Sequence, residues 1–319
     1  MRTTNQYLRM AGVLAALVLV ASACSPADSG ATTTEAAPDT TVAPEDPTTT
    51  SDAATTTSGA PADECAVENL NLANPGALTV ATGEPVFPPW MGVGDENFDV
   101  PESGTGYEGA LVYALGDEMG FSDDQVTFVR TGFDEVIAPG PKDWDFNIQQ
   151  YSITEERDEV VDFSDPYYTT SQALVTFPDS PYADATTVAD LQDAQLGAAI
   201  GTTSLDFIEE VIQPTAEPNV YDENVDVEAA MNAGQIEGLV VDLPTAYFVI
   251  AVQVEGAVIA GQFESEAADP DNFGMLFEEG NPLVSCVNVA LAALRDNGTL
   301  DALEEEWLAQ DGEIPTITG

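Results

Sequence analysis

The residue types that could do chemistry in this sequence are few, and the scarcest are its cations. Six Lys+Arg face 57 Asp+Glu, and two of the six, Arg2 and Arg9, lie in an N-terminal leader. Arg130, Lys142, Arg157 and Arg295 remain, and Arg157 falls in the polar stretch 150–168, QYSITEERDEVVDFSDPYY. A guanidinium offers a planar fork of donors that matches a carboxylate bidentately, which an ammonium cannot do. A chain this poor in cations that keeps one in a polar loop points to recognition of an anionic group. The competing reading is a surface helix on which Arg157 pairs with Glu155, Asp158 or Glu159, since exposed pairs of that kind are common and weak.

Missing residue types narrow the chemistry further. With no histidine anywhere, Ser-His-Asp and Cys-His nucleophiles and histidine metal sites are excluded. Asp95, Asn97 and Asp99 hint at a calcium loop, but Val100 stands where that loop needs glycine. Among 57 acids such near-matches arise by chance, so no metal and no cofactor is expected. The net charge is −51, or −53 without the two leader arginines. Such a surface repels nucleic acid and anionic membrane and attracts cations. It also calls for salt to screen its self-repulsion.

The words around Arg157 carry a resemblance. SITEER followed by VDFSDPYYTTSQALVTF resembles the signature of the family 3 solute-binding proteins, the extracytoplasmic amino-acid receptors of bacterial ABC importers. The resemblance runs from about Leu78 to Leu308. It implies an α/β periplasmic-binding-protein-like fold of two lobes joined by two crossover hinge strands, acting as a monomer. It also implies that Arg157 and Ser152 take the ligand's α-carboxylate. Family members often carry glycine near Gln150, so the QQY sequence here reshapes that wall of the site.

The remaining site residues follow from elements that must position them. The run 78–82, LTVAT, reads as a buried strand, and the loop GEPVFPPW after it sets Phe87 and Trp90 among prolines. Proline limits loop motion and pre-positions a ring. In the family this loop presents an aromatic to the ligand, the place of Phe87, and relatives for glutamine or basic amino acids carry an acid at the place of Glu84. Trp90 is read as a plug of lobe one. Residues 107–120 read as a helix with Leu111, Leu115 and Met119 on one face, ended by Gly120. After the strand at 126–130, Phe133 falls where relatives place a residue on the ligand's other side; core packing is the alternative for it.

In the second half, the strand 196–200 leads through Gly201-Thr202-Thr203-Ser204 into a helix over 205–212. Such a turn exposes backbone donors and the positive end of the helix dipole, suited to a carboxylate. By itself it is equally an ordinary N-cap; the family pattern gives Thr202 and Thr203 to the ligand. The strand 238–241 ends at Asp242, which the resemblance assigns to the ligand's α-ammonium and local sequence assigns to the N-cap of a helix starting near Pro244.

The N-terminus reads as export machinery. Two arginines, an apolar run over 11–20 and Ala21-Ser22-Ala23 before Cys24 make a signal peptide, too short to span a bilayer. Cys24 after small residues resembles a lipobox, with ordinary cleavage as the alternative. The expected organisation is a signal peptide over 1–23 and a lipid-anchored disordered tether over 24–64. Lobe one then takes 65–177 and 267–319, and lobe two 178–266. The tether, rich in Thr, Ala, Pro, Asp and Ser, has too little apolar surface to offset its ordering entropy. Cys65 and Cys286 are then an even pair in an exported chain, read as a disulfide with two buried thiols as the alternative.

The expected function is capture of a polar or cationic amino acid and delivery to permease subunits at the outer face of the cytoplasmic membrane. A periplasmic dehydratase on the same fold is the enzymatic alternative. It would need a cleft carboxylate of raised pKa, and composition alone nominates none. A ligand-sensing module is a further alternative; such sensors usually carry transmembrane and kinase segments, and the receptor reading is preferred to both.

Overall fold

All six residues of the first strand, Leu78–Gly83 (β1), are buried. A strand covered on both faces reads as an unbroken apolar run, the mark of a parallel sheet interior. The computed structural model describes residues 64–264, 271–309 and 313–319. The leader, Cys24 and all of the tether except Glu64 lie outside them.

The chain continues through Tyr107–Glu118 (α1), Val126–Thr131 (β2), Phe146–Asn147 (β3), Glu155–Asp158 (α2), Val161–Phe163 (β4) and Tyr168–Thr170 (β5). Gln172–Thr176 (β6), Leu196–Ala199 (β7), Thr203–Phe207 (α3), Asn219–Tyr221 (β8), Asn224–Asn232 (α4), Gly238–Asp242 (β9), Leu243–Phe248 (α5) and Val258–Phe263 (β10) follow. Asp271–Phe273 (β11), Leu276–Glu278 (β12), Leu283–Asp296 (α6), Thr299–Trp307 (α7) and Thr316–Ile317 (β13) complete it. Both α3 and α5 widen into a π-helical turn, Ile208–Ile212 and Val249–Gln253.

Two sheets form the two lobes. The first has the order β2-β1-β3-β12-β4 and the second β13-β10-β6-β9-β7-β8. Between them the short antiparallel pair β5–β11 marks the hinge. The chain leaves the first sheet after β4 and enters the second at β6 by way of β5, and it leaves the second after β10 and re-enters the first at β12 by way of β11. Sheet pairing places β6 in the middle of the second sheet, flanked by β9 and β10. The first lobe therefore gives way before residue 177, earlier than the sequence reading put it. The C-terminal residues also depart from that reading: β13 pairs with β10, so the end of the chain lies on the second sheet rather than in lobe one.

Each sheet has its own core. In the first lobe α1 and α6 cover β1 and β3 with Leu111, Leu115, Val287, Leu291 and Leu294. Cys65 and Cys286 are joined by a disulfide with Cα atoms 5.4 Å apart. Cys65 packs against the same core, so the bridge stays within one lobe. The second lobe builds separate cores on the two faces of its sheet, one around Val241, Met231 and Val249 and one around Leu174, Leu196 and Ile208.

Candidate functional site

The site begins with a close backbone contact. Gly106 has φ 89°, and a Cβ there would lie 2.6 Å from the Trp90 carbonyl oxygen. Only glycine lets the loop carrying Phe87 and Trp90 press against the start of α1. The peptide N–H of Tyr107 then donates to Pro89 and that of Glu108 to Trp90. One junction thus fixes the aromatic loop after β1 and the first turn of α1 together.

Arg157 is 6 % exposed. It lies on α2, whose N-cap Thr154 accepts from the Arg157 N–H. Its Nη1 donates to the Ser152 carbonyl at 2.7 Å and its Nη2 to the Gly201 carbonyl of the second lobe at 2.8 Å. The guanidinium carbon sits 5.7 Å from the centroid of the Phe133 ring. That ring stacks on Tyr151 with centroids 4.5 Å apart. None of Glu155, Asp158 or Glu159 pairs with it; among the described residues the ion pair is Arg130–Asp99. Desolvation pulls the Arg157 pKa below its ordinary value, opposed by Tyr151, Asp206 and Asp271 nearby.

Around this group the two lobes close a cleft. Phe87, Phe133, Gln150, Ser152 and Arg157 line it from the first lobe, and Thr202, Thr203 and Asp242 from the second. Glu84 does not join them. It is exposed and outside the lining, because the wall here is made by Gly83, Pro85, Val86 and Phe87. Three contacts besides the Arg157–Gly201 bond are informative about closure. The Ser152 and Thr203 hydroxyls meet across the cleft at 3.2 Å. The buried Trp90 indole donates to the Thr245 hydroxyl on α5 at 2.7 Å, so Trp90 plugs lobe one and also ties it to lobe two. Gly201, with φ 70°, faces Asp134 of the first lobe so closely that a Cβ would lie 2.7 Å from its Oδ1.

The competing local readings hold in part. The Thr202 hydroxyl accepts from Leu205 N–H and donates to the Ala199 carbonyl, so its side chain is an N-cap. Asp242 also caps: its Oδ1 accepts from Thr245 N–H at 3.0 Å. It nonetheless lines the cleft, and desolvation raises its pKa to about 6 against the hydrogen bonds from Thr245.

Several lining residues carried no signal in the sequence. Glu108 is fully buried and accepts from the Gln150 N–H at 2.9 Å, from the Gln150 carboxamide and from the Tyr167 hydroxyl. Burial lifts its pKa to about 7, with Asp242 adding to the rise and the three donors opposing it. Asp222, Glu223 and Asn224, at the junction of β8 and α4, also line the cleft from the second lobe. Desolvation and the neighbouring acids Asp226, Asp222 and Glu135 raise the Glu223 pKa. Gln172 holds the wall beneath Thr203, accepting from Ser204 at 2.7 Å and donating to Asp271.

A two-lobed α/β molecule with a polar interlobe cleft defines the class of the ligand-closing binding proteins. The chain belongs to the bacterial extracellular solute-binding proteins, family 3, whose model matches residues 78–310. The L-cystine-binding protein TcyJ of Escherichia coli (strain K12) is 27 % identical over 231 residues, 72 % of this chain and 81 % of that protein. The ABC transporter arginine-binding protein 1 of the same strain is 28 % identical over 231 residues, 70 % of this chain and 88 % of that one. Among solved structures, an ancestral arginine-binding protein bound to arginine superposes with a TM-score of 0.62 at 26 % identity. That match covers 73 % of this chain and 99 % of the other. The ancestral amino acid-binding protein AncCDT-1, a precursor of cyclohexadienyl dehydratase, gives 0.60 at 27 % identity, covering 73 % and 96 %.

Proposed function

We propose that this solute-binding protein captures an α-amino acid with a cationic side chain between its lobes and delivers it to the permease of an ABC importer. One observation carries the reading: a buried guanidinium, Arg157, bonded to two carbonyl oxygens and, among the described residues, to no carboxylate, opens on a cleft lined by Asp222, Glu223 and Asp242. A buried cation without an anionic partner is costly, and the α-carboxylate of a ligand supplies that partner bidentately. Ser152 and Thr203 flank the same group. Asp242, with Oδ1 committed to its cap, offers Oδ2 to the α-ammonium.

A zwitterion balances one arginine and one aspartate. Glu223 and Asp222 are then left facing the distal end of the ligand, past the ring faces of Phe87 and Phe133, and a basic side chain balances them. Relatives whose names specify arginine agree with this assignment. Because the two halves of the site sit on different lobes, full contact exists only in the closed form, and ligand binding drives closure. Anchoring through a lipid on Cys24 and action as a monomer complete the proposal. Calorimetry on the wild type and on Asp222→Asn/Glu223→Gln tests the ligand class. The wild type should prefer L-arginine, L-lysine or L-ornithine to L-glutamine, and the double variant should lose that preference. An unchanged ranking would remove the basic side chain from the reading.

The enzymatic alternative gains one observation, since the cleft does hold carboxylates of raised pKa. Glu108, however, spends both oxygens on Gln150 and Tyr167, and Asp242 spends one on its helix cap. Turnover of prephenate or arogenate by the purified protein would favour the enzyme.

A further inference from the structure

We infer that Glu108 is a positioning residue for ligand capture, acting through Gln150. The inference rests on the proposed amino-acid site and extends it to a residue that need not touch the ligand. Gln150 has φ 53°, a conformation uncommon for a residue with a Cβ. The Glu108 side chain holds it there, with the Tyr167 hydroxyl beside the same N–H. Glu108 accepts from the Gln150 peptide N–H through Oε1 and from the Gln150 carboxamide Nε2 through Oε2, a two-point grip on backbone and side chain together.

The grip is itself anchored. The Glu108 peptide N–H is fixed to the Trp90 carbonyl at 2.8 Å, and the Tyr167 hydroxyl donates to Oε1. Tyr167 in turn stands beside Tyr107, whose own hydroxyl donates to the Tyr167 carbonyl at 2.8 Å. Burial strips this carboxylate of water, and the three donors offset that cost only while they stay aimed at it, which fixes Gln150 and Tyr167 together.

The use follows from what Gln150 can present. With Nε2 turned to Glu108, the carboxamide oxygen is the group this side chain can offer to the cleft it lines. A carbonyl-type acceptor in the cleft that Asp242 lines from the other lobe suits an ammonium or guanidinium donor of the ligand. Glu108 thus makes Gln150 an acceptor: without the carboxylate, the carboxamide is free to present its NH₂ instead and the backbone to leave the left-handed region.

A double-mutant cycle on the mature protein separates this role from two others. Wild type, Glu108→Gln, Gln150→Ala and the double variant are titrated with L-arginine and L-lysine by calorimetry, and the thermal stability of each is measured without ligand. Each single variant should raise Kd about tenfold, the loss of one charge-assisted hydrogen bond, and the double should be little worse than either single. If Glu108→Gln lowers the melting temperature but leaves Kd within twofold, its role is structural only and the inference falls. If it weakens binding as much in the Gln150→Ala background as in the wild type, Glu108 acts by its charge and the inference also falls. Should the wild type bind neither amino acid, the ligand assignment fails independently. The positioning claim is then decided by crystal structures, in which Glu108→Ala, with no acceptor left, should release Gln150 from positive φ; retention of that conformation would overturn it.

Discussion

Trp90→Phe should weaken ligand binding more than it weakens the fold. The indole N–H crosses from the first lobe to the Thr245 hydroxyl of the second at 2.7 Å, in a place where Trp90 is 0 % and Thr245 5 % exposed. When the lobes part, both groups can turn to water, so the bond counts only toward the closed state. Losing a neutral hydrogen bond costs about 1 kcal/mol net, with no further penalty for the Thr245 hydroxyl because it still bonds the Asp242 carboxylate. Because ligand is held by the closed form, this cost enters Kd directly, and about 1 kcal/mol corresponds to a rise of about fivefold. The smaller ring also loosens packing against Tyr107, Tyr168 and Phe273, and the melting temperature without ligand reads that separately. Calorimetric Kd values for Trp90→Phe, Thr245→Val and the pair should show the pair little worse than Thr245→Val, which loses its bond to Asp242 as well. A Kd within about twofold of wild type for Trp90→Phe would refute the interlobe bond as a determinant of closure.

Three further outcomes follow. Replacing Cys65 and Cys286 by serine opens a loop with a separation of 221 residues, a loss of about 5 kcal/mol in the chain-entropy model. Chemical denaturation should show it, with Kd unchanged because the bridge lies within one lobe. Glu108, Asp242 and Glu228 have pKa values raised to about 7, 6 and 8 by desolvation. Acids raised in the fold destabilise it when ionised, so the ligand-free protein should melt higher as pH falls from about 8 toward 4.5. Affinity for an ammonium ligand should fall below about pH 7 as Glu108 protonates and frees Gln150, and further below about pH 6 as Asp242 protonates. Glu228, buried on α4, isolates the first effect: Glu228→Gln should raise the melting temperature at about pH 8 and leave it unchanged at about pH 4, as read by calorimetric scans.

How much of this was legible depended on whether local sequence and tertiary role agreed. The strand β1, the helix α1 and the strand ending at Asp242 showed their apolar runs and stop signals, and the structure has them within a few residues. Arg157 stood out because cations are rare here, and the SITEER words brought Ser152 and the second-lobe threonines with it. Glu108 gave no such signal. It is one acid among 57, and its partners Gln150 and Tyr167 lie 42 and 59 residues away in sequence. Asp222 and Glu223 were hidden the same way, in a turn that reads as polar surface. Glu84 misled because its place in the chain suggested a side-chain contact, whereas the wall there is built by Pro85, Val86 and Phe87. The return of β13 to the second sheet was illegible too, since two residues of strand carry no period.

Everything proposed for the cleft depends on Arg157 receiving the carboxylate of an amino acid. Thermal shifts of the refolded, ligand-stripped protein in high salt, with the cationic and neutral L-amino acids and with agmatine, which lacks the carboxylate, probe that step alone. A cationic L-amino acid at about 100 times Kd should give a shift equivalent to about 2.7 kcal/mol. Agmatine should give none, and neither compound should shift Arg157→Ala. Equal shifts from the amino acid and agmatine, or an undiminished shift in Arg157→Ala, would remove Arg157 from the site.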